Sequence, residues 1–166
     1  MLKKLKGKQR GFTMIELLVI IALTGIIGTA ATMSIHQILT GTALSNNQNT
    51  AINQVRNAGH WISRDAQMAN NVTDSPEDGN FLKLTWTSWS GGNHIVAYSL
   101  LESSSGLKEL WRDYDGQRTL IAQYIDPYNT NCTWHEVTSI LTVTMTATVG
   151  DKTETRTFKI RPRPVD

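Results

Sequence analysis

The chain has 166 residues, 40% of them hydrophobic and 18% charged, which is enough for one domain with a real core and excludes bulk disorder. Its formal charge of +2 is unevenly spread, because five of the 16 basic residues lie in the first ten positions without an acid among them. The other 11 basic residues face 14 acidic ones, a net charge of −3, so the positive total is no argument for nucleic-acid binding.

The first predicted element is an apolar helix. From Phe12 to Ile35 the chain runs for 24 residues with Glu16 as its only charged side chain. At about 1.5 Å per residue a helix of that length covers roughly 36 Å, which is enough to cross a bilayer. The basic residues before it predict a cytoplasmic N-terminus and export of the rest of the chain.

An ordinary secretory signal peptide is the alternative interpretation of this segment. Its cleavage site would lie near Thr29, Ala30 and Ala31, and the mature protein would then be a secreted enzyme. Glu16 counts against that alternative, because a charge inside an apolar membrane segment costs about 2.5–3.5 kcal/mol and usually has a partner.

The residues Gly11-Phe12-Thr13-Met14-Ile15-Glu16 resemble the processing site of type IV pilins and type II secretion pseudopilins. The resemblance implies that residues 1–11 are a leader peptide, that prepilin peptidase cleaves between Gly11 and Phe12, and that Phe12 is then N-methylated. It also implies that Glu16, the fifth mature residue, neutralises the new ammonium group in its own or a neighbouring subunit. In an apolar filament core such a pair is much stronger than in water.

The rest of the helix divides into two expected parts. Residues 12–35 would form the transmembrane and assembly segment, in which Gly25 and Gly28 allow close approach of another helix. The family often has proline at the position of Met33. Because this chain has methionine there, the sequence does not decide whether the helix melts or kinks near this point. Residues 36–70 would form an amphipathic second half, with an overall helix from Thr13 to Asn70 and a bend near Gly41.

Residues 71–166 are expected to form a β-rich head. The predicted segments are strands at 81–89, 94–101 and 107–113, a strand or short helix at 119–125, a loop at 126–136, and a hairpin of strands 137–149 and 153–161. In the first hairpin strand Leu141, Val143, Met145 and Ala147 alternate with threonines, which predicts one buried face.

The predicted fold class is therefore α+β: a long N-terminal helix packed against a mainly antiparallel sheet, the layout of the pilin family. The segment Ile62–Ala69, the Leu110-Trp111-Arg112 sequence and the threonine-rich hairpin are most similar to minor subunits of the J pseudopilin and W minor pilin kind. A major pilin is the alternative, although the single cysteine, Cys132, excludes the disulfide loop common there.

The sequence predicts no enzyme. The histidines share no spacing, and Cys132 with His135 is one pair where a zinc site needs two. No cofactor is expected. Calcium binding is the weaker interpretation of turn acids that are otherwise expected to be solvated. These acids are Asp74, Glu77, Asp78, Asp113 and Asp115.

The expected partners follow from the resemblance: prepilin peptidase, other pilin or pseudopilin subunits, the inner-membrane assembly platform and membrane lipid. Most of the five tryptophans are expected in the core, with Trp86 or Trp89 exposed as a candidate subunit interface. A DNA-uptake subunit is a second functional hypothesis, through Arg161 and Arg163. Nucleic-acid binding is the weaker expectation, because Arg156 is predicted to pair with Glu154 on one strand face.

Overall fold

A computed structural model describes residues 11–74, 80–103 and 106–163. Glu77 and Asp78, two of the turn acids considered for calcium, lie outside these residues, as do leader residues 1–10. The chain divides into two compact units, residues 1–43 and residues 44–166. Helix α1, Met14–Met68, is continuous over 55 residues and contributes to both units.

The first unit consists of the N-terminal half of α1. Every described residue from Gly11 to Asn46 is exposed, including the large apolar side chains. The expected bend at Gly41 is not seen as a break, since helical hydrogen bonding continues through that residue and through the polar run that follows. Beyond its first turn, each backbone N–H of such a helix bonds to the carbonyl four residues earlier, so the helix can stay regular where its side chains are exposed.

The second unit places the rest of α1 against a sheet of eight strands. The strands are β1 Asn71–Asp74, β2 Leu82–Thr87, β3 Asn93–Glu102, β4 Lys108–Tyr114, β5 Gln117–Ile125, β6 Asn131–His135, β7 Ile140–Val149 and β8 Lys152–Ile160. Their order is β1-β2-β3-β4-β5-β7-β6, β8 also pairs with β7, and all pairs are antiparallel. The predicted α+β layout is confirmed.

Two parts of the sheet meet at narrow junctions. β5 and β7 share one residue pair, Ile125 with Ala147, after Tyr124 adopts a left-handed backbone with φ of 60°. The sheet curls far enough for β6 to reach β1, where the Trp134 N–H donates a hydrogen bond of 2.9 Å to Asp74 Oδ2. The curl encloses the inner face of α1.

The core forms between that helix face and the inner face of the sheet. Alternate residues of the strands are buried, among them Leu82, Leu84, Val96 and Leu110, and the helix contributes Val55, Ala58, Ile62 and Ala66. The predicted buried face of β7 is confirmed, because Leu141, Val143, Met145 and Ala147 are all buried; Thr146, on the opposite face, is buried as well. Gly59 is required by packing, since a Cβ there would collide with the Phe158 ring.

Several predicted elements need correction. The expected loop at 126–136 contains strand β6, and residues 71–74, for which no strand was predicted, form β1. Both strands are short and polar, so their pairing with β7 and β2 decides their structure rather than their own pattern. The segment at 119–125 is a strand, and the first hairpin strand begins at Ile140, after a turn.

The tryptophans also differ from expectation. None of the five is fully buried, although Trp61, Trp86 and Trp134 pack partly against the core. Trp89 is fully exposed as expected for one of the pair, but it lies in the β2–β3 turn and not on the strand. Cys132 is half-buried on β6.

Candidate functional site: the start of the helix

The start of α1 is organised by Thr13 and Glu16. Thr13 precedes the first helical residue, and its carbonyl accepts the hydrogen bond of Leu17 N–H at 3.2 Å. Glu16 N–H donates to Thr13 Oγ1, and Thr13 N–H donates to Glu16 Oε2, both at 3.4 Å. These reciprocal bonds form a capping box, in which the first free N–H groups of a helix are satisfied by side chains.

This geometry places the only acid of the apolar segment beside the expected cleavage point. The Glu16 carboxylate lies against Thr13 N–H, one peptide unit from Phe12, and the positive end of the helix dipole favours a negative charge there. Gly11 and Phe12 precede the helix, have no regular secondary structure and are exposed, Phe12 to 73% of its surface. The peptide bond between them is therefore accessible.

The apolar half of α1 has the properties of a membrane segment. It is the one helix in the described part of the chain that is long and apolar enough to cross a bilayer, and none of its most apolar stretch is buried. Its hydroxyl groups bond to its own backbone, as in Thr24 Oγ1 to Ile20 O at 2.7 Å and Thr32 Oγ1 to Gly28 O at 2.9 Å. Polar groups satisfied in this way are compatible with a hydrocarbon environment.

The comparisons with known proteins identify this same region. Residues 6–32 match the family model described as the prokaryotic N-terminal methylation motif. The chain carries a prokaryotic N-terminal methylation motif. This methylation motif is of the type IV pilin-like kind and includes Gly11, Phe12 and Glu16. No curated protein and no solved structure matches the chain.

The match to the methylation motif ends at residue 32 and does not include the head. Its strongest polar contact is between helix and sheet. Arg112 on β4 donates from Nε and one terminal nitrogen to the two oxygens of Asp65 on α1, at 2.6 and 3.0 Å. Tyr98 on β3 donates its hydroxyl to Asp65 Oδ2 at 2.5 Å. Asp65 is fully buried, so all its charge is neutralised inside the protein.

This cluster shifts the pKa of its members. Burial, followed by the nearby Asp65 charge and hydrogen bond, raises the pKa of Tyr98 far above its ordinary value. Burial acts to lower the pKa of Arg112, but its hydrogen bonds and attraction to Asp65 outweigh that effect and raise it. Sequence reasoning cited Asp65 and Arg112 only as family-like residues and missed their pairing. The sequence feature that could have indicated a buried ion pair was an acid next to the apolar face of the predicted helix.

Aromatic rings extend the cluster. The Arg112 guanidinium lies 5.1 Å from the Trp61 ring centroid and 4.9 Å from that of Tyr114, and Arg64 lies 5.3 Å from Trp61. Cation–π contacts at this distance contribute about 0.5–2 kcal/mol each, depending on exposure. The arrangement binds the C-terminal half of α1 to β4. It is a structural contact, because every polar atom of Asp65 is used within the cluster.

The turn acids considered for calcium make contacts within the protein. Asp115 accepts from His94 Nδ1 at 2.7 Å and from Ile95 N–H at 2.8 Å, and Asp113 accepts from Gly116 N–H at 2.9 Å. Asp74 accepts from Trp134 N–H. Among the described residues, no group of three or more His, Cys, Asp or Glu side chains is arranged to hold a metal ion. Cys132 and His135 lie three residues apart on β6 and therefore face opposite sides of the sheet.

The basic residues of the β7–β8 hairpin and of the segment after it fall into two groups. Arg156 Nε donates to Glu154 Oε1 at 2.9 Å, which confirms the predicted pair, and Lys152 lies 3.5 Å from Asp151. Arg161 and Arg163, beyond the end of β8, have no ion pair among the described residues.

Proposed function

We propose that this protein is a minor pilin or pseudopilin, a structural subunit of a type IV pilus or a type II secretion pseudopilus. Its helix anchors it in the inner membrane with the head outside the cytoplasm, and it joins or primes a helical filament without doing chemistry. The observation that carries the proposal is an overlap. The methylation motif over residues 6–32 coincides with a helix half that is exposed throughout and whose only acid lies in the first turn.

Processing explains why the acid is there. Prepilin peptidase cuts between Gly11 and Phe12, which creates an ammonium group on Phe12 and leaves the apolar helix in the mature protein. The Glu16 carboxylate already lies beside the next N–H group, 3.4 Å from Thr13 N. A pair of unit charges about 4 Å apart is worth about 4 kcal/mol at an effective dielectric constant of 20. Glu16 therefore favours subunits docked at the register that brings a carboxylate to an ammonium group.

The N-terminus of the mature protein tests the proposal most directly. Protein extracted from membranes should begin at Phe12, carry one N-methyl group and retain the whole apolar helix. Edman sequencing and intact mass spectrometry measure both properties. A mature chain that begins after Ala31 and is found free of the membrane would contradict the proposal and favour an ordinary signal peptide.

Two substitutions separate the charge of Glu16 from its capping role. Glu16→Gln keeps an oxygen that can accept the Thr13 N–H hydrogen bond but removes the charge, whereas Glu16→Ala removes both. Both variants should be cleaved normally and should be lost from sheared filaments. The control is Glu102→Ala, which removes an exposed acid of the head paired with Lys108 at 3.2 Å. Filaments containing Glu16→Gln at wild-type levels would exclude the charge-pairing role.

The minor role is tested by stoichiometry. A minor or priming subunit should be present at a small fraction of the filament protein, and its deletion should reduce the number of filaments. A major pilin would instead form most of the filament mass, and its deletion would abolish filaments altogether. Quantitative mass spectrometry of sheared filaments distinguishes the two.

A further inference from the structure

A cavity of about 330 Å³ lies at the end of the head where α1 ends. It opens between β1 and β6, at the junction that the Trp134–Asp74 hydrogen bond closes, and the residues after β8 form its third side. Its volume is at the lower end of the range for small-molecule sites. The cavity, here called the β1–β6 cavity, is separate from the methylation motif.

Two arginines form one wall of the β1–β6 cavity. Arg161 and Arg163 line it and are exposed, and neither makes an ion pair or a hydrogen bond within the described residues. Pro162 between them is buried and has a fixed φ, which restricts the backbone that carries both arginines. Both side chains line the same cavity, in contrast to Arg156, which is held by Glu154.

The other walls are neutral and suited to a ring with hydroxyl groups. The half-buried indole of Trp134 provides an apolar surface, and β6 is fixed there by its hydrogen bond to Asp74. Thr138 and Asn70 contribute a hydroxyl and an amide. Ser139, which also lines the cavity, has a left-handed backbone with φ of 48°, a strained conformation that tends to occur at ligand sites.

We propose that the β1–β6 cavity binds a carboxylated sugar, a ligand of the uronic acid class. The two guanidinium forks match a carboxylate, which accepts paired N–H hydrogen bonds. The apolar face of the sugar ring packs on Trp134, and its hydroxyl groups bond to Thr138 and Asn70. A free acid sugar and the terminal residue of a polysaccharide present the same chemistry. The proposal goes beyond the role as a filament subunit and is independent of it, because no residue of the methylation motif lines the cavity.

Binding can be measured by saturation-transfer NMR on the full chain in detergent micelles. The probes are glucuronate, glucose as the uncharged counterpart, and glucose 6-phosphate as the phosphate counterpart. For a ligand of this size an efficient site gives a Kd on the order of 1 mM. Glucuronate should bind in this range, glucose should bind at least tenfold more weakly because it lacks the anionic group, and glucose 6-phosphate should bind no more tightly than glucuronate. An oligosaccharide ending in glucuronate separates the two sources: tighter binding than the monosaccharide identifies a polysaccharide end, and equal binding a free acid sugar.

Substitutions at the exposed arginines test the site without disturbing the core. The double variant Arg161→Ala with Arg163→Ala should weaken glucuronate binding at least tenfold. The double lysine variant should fall between it and wild type, because the charge remains but the planar fork is lost. Arg56→Ala, on the exposed side of α1, is the matched control and should bind normally. Equal binding of glucose and glucuronate, tighter binding of glucose 6-phosphate, or undiminished binding by the double alanine variant would each overturn the proposal.

Discussion

Arg112 holds the buried carboxylate of Asp65 through two hydrogen bonds, although 47 positions separate the two residues in the chain. The pair connects the C-terminal half of α1 to the middle of the sheet. Arg112 is itself only 13% exposed, and its guanidinium lies between the rings of Trp61 and Tyr114. Removal of either partner would leave the other charge buried without compensation.

The first prediction concerns this pair. Asp65→Asn should lower the free energy of unfolding by about 3–5 kcal/mol, because it leaves the Arg112 charge unpaired in the interior. The measurement is urea unfolding of the head, monitored by tryptophan fluorescence. Glu154→Gln, which breaks the exposed pair with Arg156, is the control and should cost less than about 1 kcal/mol. Similar losses in the two variants would show that burial does not set the strength of the pair.

The second prediction concerns close packing at Gly59. Gly59→Ala should destabilise the head by about 1–3 kcal/mol, because the new methyl group meets the ring of Phe158. Phe158→Leu should cost less in the Gly59→Ala background than in wild type, a coupling that a double-mutant cycle measures. Gly41→Ala has open space around the added carbon and should be neutral or stabilising. Additive effects of the two substitutions would contradict the collision.

The third prediction concerns acid stability at the β4–β5 turn. The hydrogen bond from His94, followed by that from Ile95 N–H, lowers the pKa of Asp115 below its ordinary 3.8. A lowered folded pKa gives stability that is present above pH 3.8 and is lost as the pH falls through the folded value. Asp115→Asn should therefore show a smaller fall in Tm between pH 6 and pH 2.5 than wild type.

A second, independent test of the same effect is Asp126→Asn. Hydrogen bonding from Asn129 also lowers the pKa of Asp126, so the same sign of effect is expected at a separate site. The two effects should add, because the residues share no hydrogen-bond partner. A fall in Tm with acid that is identical in wild type and in both variants would exclude these carboxylates as the source.

The fourth prediction concerns the single thiol. Burial, and secondarily the charge of Asp74, raises the pKa of Cys132 from 9.0 to about 12. At pH 8 the folded protein should then contain about 10³-fold less thiolate than the unfolded chain, and the thiolate is the reactive form. Labelling with iodoacetamide at pH 8 should be slow in buffer and fast in 8 M urea. Equal rates in the two conditions would show that the thiol is not shielded.

The elements with strong local patterns could be predicted from the sequence. The apolar run predicts the helix, and the alternation from Leu141 to Ala147 predicts the buried face of β7. Strands β1 and β6 could not be found in this way, because each has only four or five residues with one or two apolar side chains, too few to show a period. They become strands only where Val72 lies opposite Leu84 and Cys132 opposite Val143.

The polar contacts of the head show the same limit. Nothing near Asp65 in the sequence indicates Arg112, since their meeting depends on how β4 crosses α1. The pair Glu154 and Arg156 was predictable because two residues on one strand face are neighbours by local geometry alone. Trp89 is exposed, as predicted for one of the two tryptophans, but the prediction placed it on a strand that in fact ends at Thr87. Sequence reasoning therefore succeeds where a contact is fixed within a few residues and fails where the curl of the sheet fixes it.

Between Thr24 and Thr42 each serine and threonine hydroxyl is bonded to a carbonyl of its own helix. None of these six hydroxyl donors remains free to hydrogen-bond a neighbouring helix at a preferred axial position. Apart from His36 and Gln37, the side chains of this length therefore offer a neighbouring helix only their shape, and apolar contours decide how two such helices nest.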